Sequence, residues 1–225
     1  NAAVFISCIE DETQVFRLAD GQSDMAFLPC SEIDEANKAN LVTSDVQNIC
    51  WVMTVSREFN PEIRRAFAMS YSSDVYSPAL TNGFTAAKSI YPEILGINAE
   101  GVGITAYNID ESKSVMSAQI AAMEDKKFPQ STLYYYETDG AKELATAIVG
   151  HWQQNLSTFI NIEPSTNLDV IQKEIGESTL QFALFPISVK SSSFSEYAKN
   201  FAAVSTATTP DALQQELFEG NSIYP

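Results

Sequence analysis

Apolar and polar residues at the beginning of the chain form segments that predict strands and helices in turn. Short β-rich runs occupy residues 4–9 and 24–28, and helix-forming segments with capping residues occupy residues 10–21 and 31–39. This β-α-β-α order favours a mainly parallel sheet with helices on its faces.

A strand, a helix and a long connection are expected next. Residues Ile49–Val55 are apolar throughout, as in a strand covered on both faces. Asn60 is a good N-cap and Pro61 a good first helical residue. Residues 72–103 carry prolines, glycines and aromatic side chains, which predict a long irregular connection with a short helix near 85–89. Connections of that length are usually functional.

Helices and strands alternate through the rest of the chain. Lys126 and Lys127 are expected at the C-terminal end of the first of these helices, where cations suit the helix dipole, and Gly176 is expected to end the third. No repeat and no clear linker divides the chain. Helices are predicted at residues 110–127, 139–155, 168–176, 194–203 and 211–218, and strands at residues 132–136, 159–162 and 180–185.

Three motifs occur in a fixed order along these elements. The first is Leu18, Gly21 and Asp24 at a helix end, and the second is the helical core 63–66. The third is a strand, then a helix with Asp139, Leu144, Ala145 and Ile148, then a strand. Together they resemble the second lobe of the family 5 extracellular solute-binding proteins, the oligopeptide-binding proteins of ABC importers.

The chain departs from this family pattern in two places. Ser72 and Ser73 stand where the family usually has Asp-Arg. Residues 186–190 replace the Trp and Asp of many peptide binders, in which the Asp holds the amino terminus of the peptide. A lysine, Lys190, stands nearby instead, so a carboxylate or another anionic ligand group near Lys190 is a hypothesis.

The resemblance implies a fold, a function and partners. The fold would be an α/β lobe of the periplasmic-binding-protein type II, with a central mixed sheet flanked by helices. Residues 1–225 would form this single lobe, with the first lobe absent and Asn1-Ala2 left from an expression tag. The lobe would capture a peptide-like solute by closing against the other lobe, without enzyme activity or a cofactor, and would serve an ABC permease. It would lie in the periplasm or at the extracellular face of the membrane, lipid-anchored in the full-length protein.

Five residues are candidates for ligand contact. Trp51 and Phe185 lie on predicted strands, Tyr76 and Phe84 on the aromatic connection that the family analogy brings toward the cleft, and Lys190 after a strand. Packing is the alternative for the aromatic residues, including Tyr91 and the tyrosines at 134–136, because large aromatic side chains commonly anchor loops and fill sheets.

Composition narrows the possible partners. The net charge is −16, from 29 acidic and 13 basic residues, and repels phosphate backbones, so nucleic-acid binding is not expected. The simplest explanation of this negative charge is solubility, and the binding of cationic ligands is the more specific alternative. No apolar run approaches a membrane span. Cys8, Cys30 and Cys50 lack metal or redox spacing and are expected as free buried thiols.

Other chemistry finds little support in the residues. His151, the one histidine, is expected to pack on a helix, since a triad or metal site needs partners that the chain does not announce. Gly101-Val-Gly103 lacks the rest of a phosphate loop, and Asn155-Leu-Ser157 matches a glycosylation sequon that is frequent by chance. Two other functions stay open, the ligand-sensing domain of a transcription regulator and a hydrolase.

Overall fold

A mixed β-sheet organises the described part of the chain in the computed structural model. The described residues belong to one compact unit, Val46–Leu80 with Phe84–Pro225. The strands and helices expected before residue 40, together with Cys8 and Cys30, lie outside them. The structure describes residues 49–76, 87, 90–97, 106–138, 140–189, 192–202, 205–220 and 222–224.

The described strands form a sheet of five in the order β3-β2-β4-β1-β5. β2 pairs in parallel with β3 and β4, whereas β1 is antiparallel to β4 and β5. The predicted mixed sheet is confirmed, and the mainly parallel arrangement is restricted to β2, β3 and β4. The strands are β1 (Ile49–Val55), β2 (Ser131–Tyr136), β3 (Ile160–Ser165), β4 (Phe182–Ser188) and β5 (Ser222–Tyr224).

Asparagine side chains cap three of the described helices. Asn60, Asn108 and Asn167 each accept a hydrogen bond from the backbone N–H three residues later, which satisfies a donor that the first turn leaves unpaired. Short 3₁₀ turns lie at Glu93–Leu95 and Lys199–Phe201. The helices are α1 (Pro61–Met69), α2 (Ser73–Tyr76), α3 (Ile109–Ala122), α4 (Ala141–Leu156), α5 (Leu168–Gly176), α6 (Phe194–Ala198) and α7 (Pro210–Gly220).

One helix end differs from the sequence-based expectation and another matches it. α3 ends at Ala122, so Lys126 lies beyond its last turn, in a left-handed conformation with φ 50°. α5 ends at Gly176, as predicted, and a left-handed residue, Ser178 with φ 60°, follows two positions later. Ser178 compensates for this backbone conformation because its hydroxyl accepts a hydrogen bond from Arg57 Nε at 3.0 Å.

Two strands run further than predicted, and each continues through a proline. β3 is an edge strand of the described sheet, where a residue without an N–H is tolerated, and it continues through Pro164 to Ser165. β4 continues through Pro186, which pairs with Trp51 of β1. The pairing of β4 with β2 reaches only Leu184, so Pro186 lies where β4 has a strand on one side.

Apolar side chains cover both faces of the sheet, as the residues of β1 predict. On one face, Met53, Leu133 and Leu184 contribute to a cluster that we call the α4-side core. On the other face, Val52 and Phe185 contribute to the α5-side core. The α4-side core also contains buried residues of α1, α3 and α4, and the α5-side core contains buried residues of α5, α6 and α7 (Phe67, Met116 and Trp152; Ile171, Tyr197 and Leu217, respectively).

A buried polar contact ties α1 to α4 within the α4-side core. The indole Nε1 of Trp152 donates to the hydroxyl of Ser70 at 3.0 Å, and this hydroxyl donates to the carbonyl of Phe67 at 2.6 Å. In addition, Ser112 of α3 donates to the carbonyl of Ala66 at 2.6 Å. The hydroxyls thus join the three helices of this side where apolar packing alone would leave polar groups unpaired.

Replacing Ser70 by alanine tests this contact. Because the indole N–H of buried Trp152 would lose its acceptor, Ser70→Ala should lower the free energy of unfolding by about 1–3 kcal/mol. Urea denaturation followed by circular dichroism measures the loss. Thr146→Ala is the matched control, since this exposed hydroxyl bonds only within α4, and its removal should change stability by less than about 0.5 kcal/mol. Equal effects of the two changes would contradict the prediction.

The end of α4 offers a stabilising change. Ser157 caps this helix with φ 55°. This left-handed conformation has a free-energy cost for a residue that carries a side chain, and no such cost for glycine. Ser157→Gly should therefore raise the free energy of unfolding by about 0.5–1 kcal/mol, after allowance for the greater freedom of glycine in the unfolded chain. Ser157→Ala, measured in the same urea titrations, should bring no gain. A Ser157→Gly protein less stable than the parent would contradict this assignment.

Candidate functional site

The carboxyl end of β2 lies at a topological switch point, where the connections from neighbouring strands leave toward opposite faces of the sheet. The helix that follows β2 is α4, which packs in the α4-side core, whereas the helices after β3 and β4 pack in the α5-side core. β3 and β4 are the two neighbours of β2 in the sheet. In open α/β sheets a crevice forms outside the strand ends where neighbouring connections leave to opposite faces, and ligands bind there. This edge is the candidate functional site.

The side chains at this edge are mostly polar. We call the edge formed by the carboxyl ends of β2, β3 and β4, with the start of β1, the carboxyl edge. The backbone N–H of Glu137 donates to the carbonyl of Ser165 at 3.0 Å and joins the ends of β2 and β3. Residues at the carboxyl edge include half-buried Tyr136 and Ser165 and exposed Glu137, Thr138, Asn167, Ser188 and Ile49.

Two helices start at the carboxyl edge in different ways. The N-cap of α4 is Gly140, and its left-handed backbone, with φ 79°, favours glycine at this turn. The aspartate predicted as this cap, Asp139, lies outside the described residues. α5 is capped by Asn167, whose side chain accepts from the N–H of Val170 at 3.2 Å. The edge therefore offers backbone and side-chain hydrogen-bonding groups, the carboxylate of Glu137 and the exposed apolar side chain of Ile49.

The candidate ligand residues do not converge in the described structure. Trp51 is half-buried on β1 and packs against the α4-side core, opposite Pro186 in the strand register. Tyr76 lies inside the same core, and Phe185 lies inside the α5-side core on the opposite face. Phe84 and Lys190 are outside the described residues. Ligand contact by any of the five stays a prediction.

The tyrosines of the aromatic connection are buried where they are described. The hydroxyl of Tyr91 donates to the carbonyl of Pro210 at 2.6 Å, and burial, with a smaller contribution from Asp211, raises the pKa of Tyr91 to about 12. Burial also raises the pKa of Tyr76, and neighbouring Tyr71 acts in the same direction. Both hydroxyls therefore stay protonated at neutral pH, and both side chains have the environment that the packing alternative predicts.

Cys50 and His151 also match the packing expectation. Cys50 is a free buried thiol, and burial raises its pKa to about 12, which keeps it protonated and unreactive at neutral pH. His151 lies on α4 with its ring against Tyr76, at 5.7 Å between ring centroids. Within the described residues, we find no group of three or more His, Cys, Asp and Glu residues placed to hold a metal ion.

No helix in the part of the chain that the structure describes has the length and apolar character of a membrane span.

Sequence reasoning missed the polar residues of the carboxyl edge. Each follows or ends a strand, a position with no periodicity of its own, so the helix and strand patterns gave no reason to select it. A usable signal was nevertheless present. The strands predicted at 132–136 and 159–162 flank a helix, and the carboxyl ends of such parallel strands meet at one edge. A list of the three residues after each of these predicted strands would have included Glu137 and Ser165.

No protein-family model matches the chain, and no curated protein matches it. Solved structures do match, and they include the substrate-binding domain of an oligopeptide ABC transporter from Bacillus anthracis, with a TM-score of 0.60, 13% identity, and coverage of 92% of this chain and 48% of that one. The chain has the fold of a lobe of the peptide-binding proteins of ABC transporters. The type II periplasmic-binding-protein fold expected from the sequence is confirmed.

Two further structures support the same fold assignment. OppA of Haemophilus influenzae, solved with the peptide RPPGFSPFR, matches with a TM-score of 0.56 and 13% identity over 94% of this chain and 50% of that chain. The murein tripeptide-binding protein MppA of Escherichia coli matches with a TM-score of 0.54 and 15% identity over 79% of this chain and 42% of that one. The chain thus spans about half the length of these binding proteins.

Alanine substitutions test whether the buried aromatic residues are part of the core. Tyr76→Ala and Phe185→Ala should each lower the free energy of unfolding by about 3–5 kcal/mol, because both side chains are 3% exposed. Tyr107→Ala is the control, since Tyr107 is 47% exposed, and should change stability by less than about 1 kcal/mol. Urea denaturation measures all three. A loss below 1 kcal/mol at Tyr76 or Phe185 would contradict the core assignment.

Proposed function

We propose that this chain is the ligand-binding lobe of a solute-binding protein that captures peptides for an ABC importer. The observation that carries the proposal is the topology of the described sheet, which forms a switch point at the end of β2, together with matches to about half the length of three binding proteins. The first of the three is described as the substrate-binding domain of an oligopeptide ABC transporter, the second as OppA in complex with the peptide RPPGFSPFR, and the third as a murein tripeptide-binding protein.

The carboxyl edge supplies the ligand contacts in this proposal. A peptide carries a donor and an acceptor on nearly every residue, and each of these groups must be paired when the ligand leaves water. The hydroxyls of Ser165 and Ser188, the amide of Asn167 and the exposed Glu137 carboxylate offer complementary partners. The exposed side chain of Ile49 adds apolar contact beside Ser188, its partner in the strand register.

Capture proceeds by closure of two lobes in this mechanism. A peptide that bridges both lobes favours the closed state through its differential affinity for that state, and no covalent bond changes. A single lobe retains only its own contacts with the ligand and does not exclude water, so binding by this chain alone is weak. The closed complex presents the peptide to the permease outside the cytoplasm, where a lipid anchor holds the full-length protein at the membrane.

Blocking the carboxyl edge tests the proposal in the full-length protein that includes both lobes. Ser188 is exposed at the end of β4, and Ser188→Arg should lower peptide affinity at least tenfold, about 1.4 kcal/mol. Phe159→Arg is the matched control, because Phe159 is 63% exposed and precedes the amino end of β3. It therefore lies at the opposite ends of the parallel strands from the carboxyl edge. The affinity of this variant should stay within about twofold of the parent, well inside that tenfold step.

Isothermal titration calorimetry with a pool of dipeptides to nonapeptides that includes RPPGFSPFR measures these affinities. Native mass spectrometry of the purified protein identifies any peptide that remains bound. Equal loss of affinity in both variants would contradict a site at the carboxyl edge, and a full-length protein that binds no peptide in the pool would contradict peptide capture.

A further inference from the structure

The single histidine of the chain lies where α4 meets other elements of the α4-side core. Its ring contacts the ring of Tyr76 on α2 edge-on, with an interplanar angle of 77°. Tyr76 in turn packs against Tyr71, which follows α1, with ring centroids 5.6 Å apart. Lys113 of α3 is close enough to disfavour a charged ring electrostatically. A change in the charge of His151 would therefore be felt at the contact between α2 and α4.

The hydrogen bonds around the ring select a neutral form of His151. The side-chain Nδ2 of Asn155 donates to the backbone carbonyl of His151 at 3.0 Å. This bond fixes the orientation of the Asn155 side-chain amide, because the Oδ1 of Asn155 could not donate in the same place. The same Nδ2 lies 3.2 Å from Nδ1 of the imidazole. Since an amide nitrogen does not accept hydrogen bonds, Nδ1 must be the acceptor and the ring proton must reside on Nε2.

A second proton on the ring would enter an unfavourable place. It would bind Nδ1, where it would face the N–H of Asn155, so that two donors would oppose each other. Nε2 is buried away from solvent. Burial lowers the pKa of His151 and Lys113 adds to this effect, whereas the backbone of Ser70 acts in the opposite direction.

His151 is the group at this contact that responds to a change of pH near 6. Burial raises the pKa values of Tyr71 and Tyr76, so both stay neutral near pH 6. Asp74 of α2 is exposed, and Lys113 of α3 is half-buried. The ordinary pKa of histidine is about 6.5, so His151 is the group whose charge changes here between pH 5 and pH 7.5.

We propose that His151 is a proton-sensitive contact that holds α2 against α4 at neutral pH and releases it in acid. Protonation at Nδ1 breaks the hydrogen bond with Asn155 and places a positive charge beside buried Tyr76. α2 has only four residues, and it depends on packing because a helix of one turn is not stable alone. Loss of the contact therefore opens α2 locally, while the sheet stays folded.

Linkage fixes the direction of the effect. The closed contact favours neutral His151, so the open state binds the proton more tightly. The contact is fully formed above the ordinary histidine pKa of about 6.5 and weakens as the pH falls through the lower pKa of the closed form. At the acid limit, the opening equilibrium rises tenfold for each unit by which the measured pKa lies below that of the open state.

Hydrogen exchange on the whole chain tests the proposal. The N–H groups of Val75 and Tyr76, which both bond to the carbonyl of Ser72, should exchange faster at pH 5.5 than at pH 7.5 after correction for intrinsic rates. Amides of β4 should keep their protection. The pKa of His151, measured by nuclear magnetic resonance, should lie below 6.5 and give the size of the effect.

Two variants separate this effect from general acid sensitivity. His151→Phe cannot take up a proton and should remove the pH dependence of exchange at residues 75 and 76. Asn155→Asp supplies a carboxylate that accepts from a protonated Nδ1, so it should raise the pKa of His151 and keep α2 closed in acid.

Three results would overturn the proposal. The first is a His151 pKa above 6.5 in the parent protein, which a favourable cation–π contact with Tyr76 would produce. The second is unchanged exchange at residues 75 and 76 while His151 titrates. The third is loss of protection in β4 together with α2, which would show global unfolding. The parent protein alone decides all three, so failure of a variant to fold leaves the test intact.

Discussion

The need to cover both faces of one sheet determines the architecture of the described residues. Neighbours along a strand point to opposite faces, so Val52 and Met53 of β1 enter different apolar cores. The same division separates Ala183 from Leu184 on β4. Because neither row can face water without loss of stability, helices must pack on each side, and the polar groups that remain accessible gather at the ends of the strands.

The sequence predicted those strands and helix starts that depend on neighbouring residues in the chain. Residues Ile49–Val55 are apolar except for Thr54, which correctly indicated a strand covered on both sides, and Asn60 with Pro61 correctly marked the start of α1. The extension of β4 through Pro186 was missed because it depends on where β2 stops pairing. The left-handed residues Gly140 and Ser178 were missed because nearby residues carried the stronger capping signals.

The candidate site was harder to predict than the fold, for a different physical reason. The carboxyl edge exists because β2 lies between β3 and β4, an order set by pairing between distant segments. Aromatic side chains were chosen as candidates instead, and Tyr76 was among them because the family analogy brings its connection toward the cleft. The short helix α2 and its contact with α4 were not foreseen. Burial of an aromatic side chain on a short helix is a tertiary property, which composition and spacing do not encode.

Among the described strands, β3 lies at one end of the sheet, and this has a consequence for the behaviour of this protein at high concentration. β3 exposes Glu163 and Pro164, and Pro164 has no N–H to offer to a further strand. An uncovered strand edge is otherwise a template on which a second molecule can add a strand of its own, the first step toward fibrils. The charge and the missing donor oppose such growth along this side, so crowded molecules are kept from joining their sheets there.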